Sequence, residues 1–371
     1  MPRTRIILIL PLVQALLDSF IPTHAQTHTQ WKQALSPHPW SFPKDHGNHP
    51  EYRTEWWYFT GNLTDSKQKN YGYQLTFFRQ GARRDTPPLK SRWTFRDLYF
   101  AHFAISDPSI PLFLKAQKIS RAALDTAGSA LDALHVWIDD WRATEINPSQ
   151  FRLSADAGNF ALDLLLTTKK PPILHGRDGL SQKSTRKGYA SHYFSYTRLL
   201  THGVIRIHNV EYPVSGTSWF DKEFSSSMLD TDQVGWDWFS IQFDNDCELM
   251  LYLLRHSDAS TSYSGGTWVE SDGQKIDISH RQFSVIPRRE WTSPHTQITY
   301  PSGWTIRVPS LNLEIEFLPR TPDQELSFQL ANRPLNYWEG ACVAQGIYKG
   351  KPIRGHGFAE LTGYDGMRPL R

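Results

Sequence analysis

The chain of 371 residues is longer than one ordinary hydrophobic core supports, which points to two domains. Its net charge of +3 is small and no run of Lys or Arg stands out, so the concentrated basic face that nucleic acid requires is excluded. Aromatic residues make up 13% of the chain (14 Trp, 15 Tyr, 20 Phe), and 23 Gly and 24 Pro recur between short alternating runs, which favours an all-β fold.

Arg3 and Arg5 precede an apolar run over residues 6–17, and Thr23, His24 and Ala25 come before Gln26. A basic start, an apolar stretch too short to span a bilayer and interrupted by Asp18, then a small residue at the cleavage point, read as a signal peptide over 1–25. A periplasmic or secreted location is expected, and no Cys follows the run to take a lipid anchor. Residues 26–42 form an irregular lead-in. Strands are expected at 53–63, 71–79, 98–105, 112–119, 135–142, 151–155 and 160–167. The Ala-rich 120–130 suits a short helix or loop, and 169–188, rich in Pro, Gly and charge, a long exposed loop.

Strands resume at 192–199, 203–207 and 211–220 and complete a first domain over 43–227. The junction falls within 225–232. A second domain, 228–368, carries strands at 235–243, 248–255, 267–270, 282–286, 304–308, 313–317, 325–330, 337–348 and 355–361. This spacing suits two antiparallel barrels or sandwiches, with no strict internal repeat.

The first strand, RTEWWYFTGNL at 53–63, holds one carboxylate among aromatics. Glu55, Trp57 and Phe59 face one way and Trp56 and Tyr58 the other. Such a carboxylate is either paired or raised in pKa and available for proton transfer. No G-x-S-x-G, H-E-x-x-H or Walker sequence is present. What remains is a set of acids beside aromatics: Glu55, Asp221 and Glu223 in SWFDKEF, Asp237 in GWDWF, and Glu339 in YWEG. Asp221, desolvated by Trp219, Phe220 and Phe224, leads; for Glu55 a structural partner such as Arg53 or a loop Arg is the rival reading. His192 opens HYFSY and is either a proton carrier or a strand-end His bonded to backbone.

Other groups read as structural. Asp45, His46 and His49 fall in a turn with Gly47 and Pro50, and no third ligand is fixed nearby, so no metal is expected. Ser225, Ser226 and Ser227 lack an activating base and read as a turn. Cys247 and Cys342 either pair in an oxidising compartment or stay as buried free thiols, and neither has the flanking His or Cys of a zinc site.

Several stretches resemble the AttH-like secreted hydrolases related to carotenoid 1,2-hydratase (hydroxyneurosporene synthase). They are FPKDHGNHPEYRTEWWYFTGNL at 42–63, AHFAISD at 101–107, PPILHGRDGLS at 171–181 and YPVSGTSWFDKEFSSS at 212–227. QVGWDWFSIQ at 233–242, YWEGACVAQG at 337–346 and GFAELTGYDG at 357–366 complete the set. The resemblance covers nearly all of the mature chain and implies two consecutive lipocalin-like β-barrel domains. It also implies, for the hydratase branch, addition of water to a terminal isoprenoid double bond without a redox cofactor. In that branch the acid is an Asp two residues after an aromatic, matched by Asp221 after Trp219, and an upstream His before an aromatic is matched by His192 before Phe194. Trp219 and Phe194 replace other aromatics, and Lys222 stands where His or Arg is more usual. The long motifs fit the secreted-hydrolase branch better.

The expected mechanism is acid-initiated water addition to, or hydrolysis of, an apolar isoprenoid- or lipid-like molecule. Asp221 donates the proton, and Glu55 or His192 orients or deprotonates water. Trp56, Trp57, Tyr58, Phe194, Trp219, Glu223, Trp236, Asp237 and Trp238 are expected to contact the substrate, with no cofactor. A carrier of an apolar ligand without turnover would show the same aromatic lining, and a barrel serving as platform for an envelope or membrane-associated partner is a third reading.

Overall fold

The alternating runs pair as antiparallel strands throughout. The computed structural model describes residues 30–366 apart from 83, 85–94, 111, 228, 259 and 331–332. The expected signal peptide and residues 26–29 of the lead-in lie outside the described residues. No α-helix occurs among those described; two 3-10 turns, Lys44–His46 and Pro309–Leu311, are the helical elements.

A 13-stranded sheet runs from Thr54–Asp65 to Val210–Ser227, and those two strands pair with each other, so the start and end of this half meet. The outer strands of the sheet, Leu112–Arg121 and Ala127–Ser129, are neighbours in the chain. Hydrogen bonds Ser120–Thr126 (2.8 Å) and Tyr99–Ser129 (2.7 Å) hold this side of the nearly closed barrel together. A 10-stranded sheet from Gln233–Phe243 to Lys351–Thr362 curls in the same way, with those first and last strands again paired.

Strand alternation fills each interior. Phe151, Leu153 and Ala155 point inward from Gln150–Asp156, while Arg152 and Ser154 do not. Phe59 stacks on Phe220 at 4.2 Å inside the first barrel, a contact adding about 1 kcal/mol beyond the area it buries. Phe239, Trp304 and Phe317 anchor the second interior. A third buried cluster belongs to neither barrel: Tyr58, Tyr193, Trp219, Trp238, Met250, Ala341 and Phe358 pack the two sheets back to back. Where the sheets meet, a Cβ on Gly72 would stand 2.6 Å from Ala341 Cβ and from Ser106 Oγ, so only glycine fits.

Four expectations change. Residues 120–130 are strand, turn and strand, because Leu124 and Asp125 adopt positive φ (56° and 57°) and reverse the chain before a helix can start. The expected strand 135–142 is a hairpin, His135–Ile138 and Trp141–Asn147, turned at Asp139 (φ 53°). The stretch 169–188 is no exposed loop: Ile173–Leu174 and Leu180–Gln182 pair with Ala190–Ile207, and Lys170 and Lys183 are buried on Glu248 and Glu223. Ser225–Ser227 continues a strand instead of turning. Cys247 and Cys342 are both free and buried.

Candidate active site

The strand register sorts the expected site residues onto two faces of one sheet. Tyr58 lies opposite Asp221 and Trp56 opposite Glu223, and these point toward the second barrel. Trp57 lies opposite Lys222, Phe194 pairs with Lys222, and His192 pairs with Phe224; these, with Glu55, occupy the interior face of the first barrel. Trp236 and Trp238 meet the first group from the second sheet, whereas Asp237, one step out of phase, turns inward to Arg255 (2.9 Å) and Tyr364 (3.0 Å). Asp221 and Glu55 therefore do not share a site. A strand places successive side chains on opposite faces, so neighbours in sequence were bound to separate.

In the seam between the barrels, Asp221 is 4% exposed. Its Oδ1 accepts hydrogen bonds from Trp219 Nε1 (2.6 Å) and Ser195 Oγ, and its Oδ2 from Tyr193 Oη (2.8 Å). Burial pushes this carboxyl up to about 7 against the pull of those three donors, and the Glu223 charge adds to the rise. Behind it, His175 Nε2 lies 2.6 Å from Ser195 Oγ and His175 Nδ1 2.9 Å from Thr267 Oγ1. Burial holds His175 well below the usual imidazole range, so it is neutral. When Asp221 is ionised, Ser195 donates to it and accepts from His175. When Asp221 is protonated, every bond in this row can reverse. The row is thus competent to relay a proton.

Three further carboxylates stand around the same aromatics. Glu339 and Glu360 face each other across paired strands. Burial and the Glu360 charge raise Glu339 well above the carboxylate range, against the pull of the Tyr58 hydroxyl. Glu360 accepts from Trp236 Nε1 (3.0 Å), and desolvation pushes it up to about 7. Glu223 is paired with Lys183 (3.2 Å) and accepts from Ser191 Oγ. Tyr58 sits at the centre: buried, it is raised by desolvation, by the charges of Glu339, Glu360 and Asp221, and by its hydroxyl facing Glu339. Trp56, Trp236 and Tyr252 are partly exposed and form the rim. Buried acids with perturbed pKa values among aromatic walls are the chemistry-bearing pattern of this molecule.

On the interior face, Glu55 is an ion-pair hub. It binds Arg79 Nε (3.1 Å), Lys222 Nζ and His49 Nδ1 (2.8 Å), and accepts from the His49 backbone amide (3.0 Å). Burial alone would raise its pKa, but the Lys222 charge, the His49 bond and the Arg79 charge outweigh this and hold it well below the usual range. Glu55 is a fixed anion with every lone pair engaged, which is the structural reading of this residue with Arg79 and Lys222 in place of Arg53. His192 bonds Tyr52 Oη (3.0 Å) through Nε2, and burial pushes it down to about 3, so it is a neutral imidazole. Trp57 donates to the His46 carbonyl (2.9 Å) and carries the Lys222 ammonium 3.8 Å from its ring. Phe194 packs on Trp40 and Phe42.

Sequence reading missed Tyr193, Ser195, His175 and Glu360. Tyr193 and Ser195 were legible as the second and fourth positions of HYFSY, opposite in phase to His192 and Phe194; His175 and Glu360 come from segments far away in sequence.

The profile of the AttH-like family matches residues 33–364. Among solved structures, an AttH candidate from Nitrosomonas europaea is 34% identical with a TM-score of 0.79, covering 89% of this chain and 100% of that one. Kievitone hydratase from Nectria haematococca aligns with a TM-score of 0.67 at 14% identity, over 91% of this chain and 98% of that one. Dehydratase asqC of Emericella nidulans is 19% identical over 238 residues, 58% of this chain. The chain covers 62% of that dehydratase, less than two thirds of its length.

Proposed function

Because the chain belongs to the AttH-like family and folds as two lipocalin-like barrels, we propose that it is a hydro-lyase working in the aromatic seam between them. The substrate class is an apolar isoprenoid- or lipid-like alkene, or the matching alcohol in the reverse direction. The observation that carries this is Asp221, a buried carboxyl poised at about 7 among Trp219, Tyr193 and Trp238. Relatives named hydratase and dehydratase support this reaction type over ester hydrolysis.

In hydration, Asp221 transfers its proton to one alkene carbon and the positive charge appears on the neighbouring carbon. The faces of Trp56, Trp219 and Trp238 stabilise that cation by roughly 0.5–2 kcal/mol per ring. Water bonds to the cationic carbon, and its surplus proton passes to ionised Glu360. Glu339, held neutral, serves as a hydrogen-bond donor to the water. Asp221 regains a proton along Ser195 and His175, and Glu360 returns one to solvent, so the net change is one water added. The chemistry needs no cofactor. The basic and apolar start of the sequence supports a periplasmic or secreted location, and the two domains are taken as 43–227 and 228–368.

The test begins with mass spectrometry of organic extracts of the purified protein to recover its ligand. Incubation of that ligand with enzyme in ¹⁸O-water then follows. Formation of an alcohol carrying solvent oxygen, or loss of water from the ligand, supports the proposal. A ligand that binds and is returned unchanged makes the protein a carrier.

A further inference from the structure

On the interior face of the first barrel, away from the seam, three side chains from separate segments converge. His38 belongs to the lead-in, Asp45 to the Lys44–His46 turn and His49 to the loop before Thr54–Asp65. Asp45 Oδ1 lies 3.1 Å from His38 Nε2 and 3.1 Å from His49 Nε2, and one ligand atom of each residue falls within 4.8 Å of the others. His38 is the third ligand that the Asp45–His49 sequence cluster lacked.

Both ring nitrogens of His49 face carboxylates. Its Nδ1 faces Glu55 Oε1 at 2.8 Å, a carboxylate already bound by Arg79 and Lys222, so Nδ1 is the donor in that bond. Its Nε2 faces Asp45 Oδ1 at 3.1 Å, and Asp45 also meets His38 Nε2 and accepts from the Ser41 amide. The ring is buried and stacked on Phe224 at 3.6 Å. With an ion, Nδ1–H binds Glu55 and the Nε2 lone pair binds the metal. That is the carboxylate–histidine–metal arrangement by which proteins fix the tautomer and orientation of a ligating imidazole. The 3.1 Å spacing is also near the edge of a tetrahedron around a metal with bonds of roughly 2.0–2.1 Å.

We propose that His38, Asp45 and His49 bind a divalent first-row transition metal ion, with zinc as its natural occupant. Two imidazoles and one carboxylate select this class over magnesium or calcium, which take oxygen ligands. Glu55, locked by Arg79 and Lys222, is the outer carboxylate that orients His49. His192 stands beside the triad, its ring centre 5.4 Å from that of His38, with Nδ1 buried and unpartnered. The role is a clasp. Residues of the lead-in cover this end of the barrel, with Trp40 and Phe42 packed on its core and Ala34 on Leu180 and Ala190. Metal binding ties that segment to the loop leading into the first strand.

The experiment uses the full-length protein, dialysed free of metal, re-equilibrated with zinc or cobalt(II) and passed through gel filtration. Elemental analysis is expected to return one zinc per chain, and the cobalt form to show visible ligand-field absorption. His38→Gln and Asp45→Asn are each expected to weaken zinc binding by roughly tenfold or more in competition with a chromophoric chelator. His38 is partly exposed, so His38→Gln is expected to keep the wild-type circular dichroism spectrum, which is recorded alongside. No zinc retained by the wild type, or equal affinity in the wild type and a folded His38→Gln, would overturn the proposal and leave the three side chains as a hydrogen-bonded cluster. Neither result bears on Asp221, which lies on the other face of the sheet.

Discussion

Tyr58 and Asp221 stand directly across the Thr54–Asp65 and Val210–Ser227 ladder, and both leave the first barrel toward the second. Their next neighbours, Trp57 and Lys222, are paired just as directly and face the opposite way. One strand pair therefore serves two chemically separate compartments: an aromatic seam holding raised carboxyls, and a barrel end holding lowered ones.

Asp221→Asn keeps the size of the side chain and removes the proton. Turnover of the recovered ligand is expected to fall by about 10²–10⁴-fold, the usual weight of a general acid, while ligand affinity changes little. Initial rates and equilibrium binding check this, and unchanged turnover would remove Asp221 from the mechanism.

The pH dependence follows from the same group. Asp221 titrates at about 7 and acts when protonated, so hydration is expected to decline as pH rises through about 7, while Glu360, also at about 7, acts when ionised and sets the acid limb of a bell-shaped profile. For Asp221 the stability sign is the same. The native carboxyl holds its proton up to about 7, whereas the unfolded one releases it near 3.8, so its contribution is full below that value and is lost as pH rises across the window. Urea midpoints of Asp221→Asn should show a shallower loss between those pH values than the wild type.

Lys222→Met leaves Glu55 buried with part of its counter-charge gone. A loss of about 3–5 kcal/mol is expected, because an uncompensated buried ion costs more than the pair contributes. Urea unfolding measures it. A loss under about 1 kcal/mol would mean that Arg79 and His49 suffice.

Gly357→Ala places a Cβ 1.7 Å from the Ser240 carbonyl oxygen, inside the pairing of the first and last strands of the second sheet. Backbone cannot yield there as a flexible side chain would. Destabilisation of about 1–3 kcal/mol or more is expected, read as a lower urea midpoint at unchanged slope.

Thiol reagent should find nothing in the native protein and two thiols per chain in denaturant. Both cysteines are buried and free, and burial, with Glu270 nearby, pushes Cys247 up to about 11. Failure to titrate thiols after unfolding without reductant would mean that the two had paired.

Much of this arrangement was legible one strand at a time. The alternation in RTEWWYFTGNL already separated Glu55 and Trp57 from Trp56 and Tyr58, and the aromatic neighbours of Asp221 already implied a raised pKa. What the sequence could not disclose was distance across the fold. Arg79 reaches Glu55 from the next strand, His38 meets His49 only because the lead-in folds over the barrel, and Glu339 and Glu360 join Asp221 from the other half of the chain. Pairing Glu55 with Asp221 as helper and acid failed for a local reason: the two residues have opposite phase on their paired strands.

The back-to-back packing of the barrels has a consequence for dissection of the protein. A fragment ending at Ser227 would retain the acid and its Tyr193, Ser195 and Trp219 donors but lose Trp238, Glu339 and Glu360. It would also expose Tyr58 and Trp219 to water. Neither half then holds the whole seam, and if the seam is the site of turnover, co-expressed halves should find each other through this bared surface and regain it together. For this chain, catalysis would then be a quaternary property written into a single polypeptide.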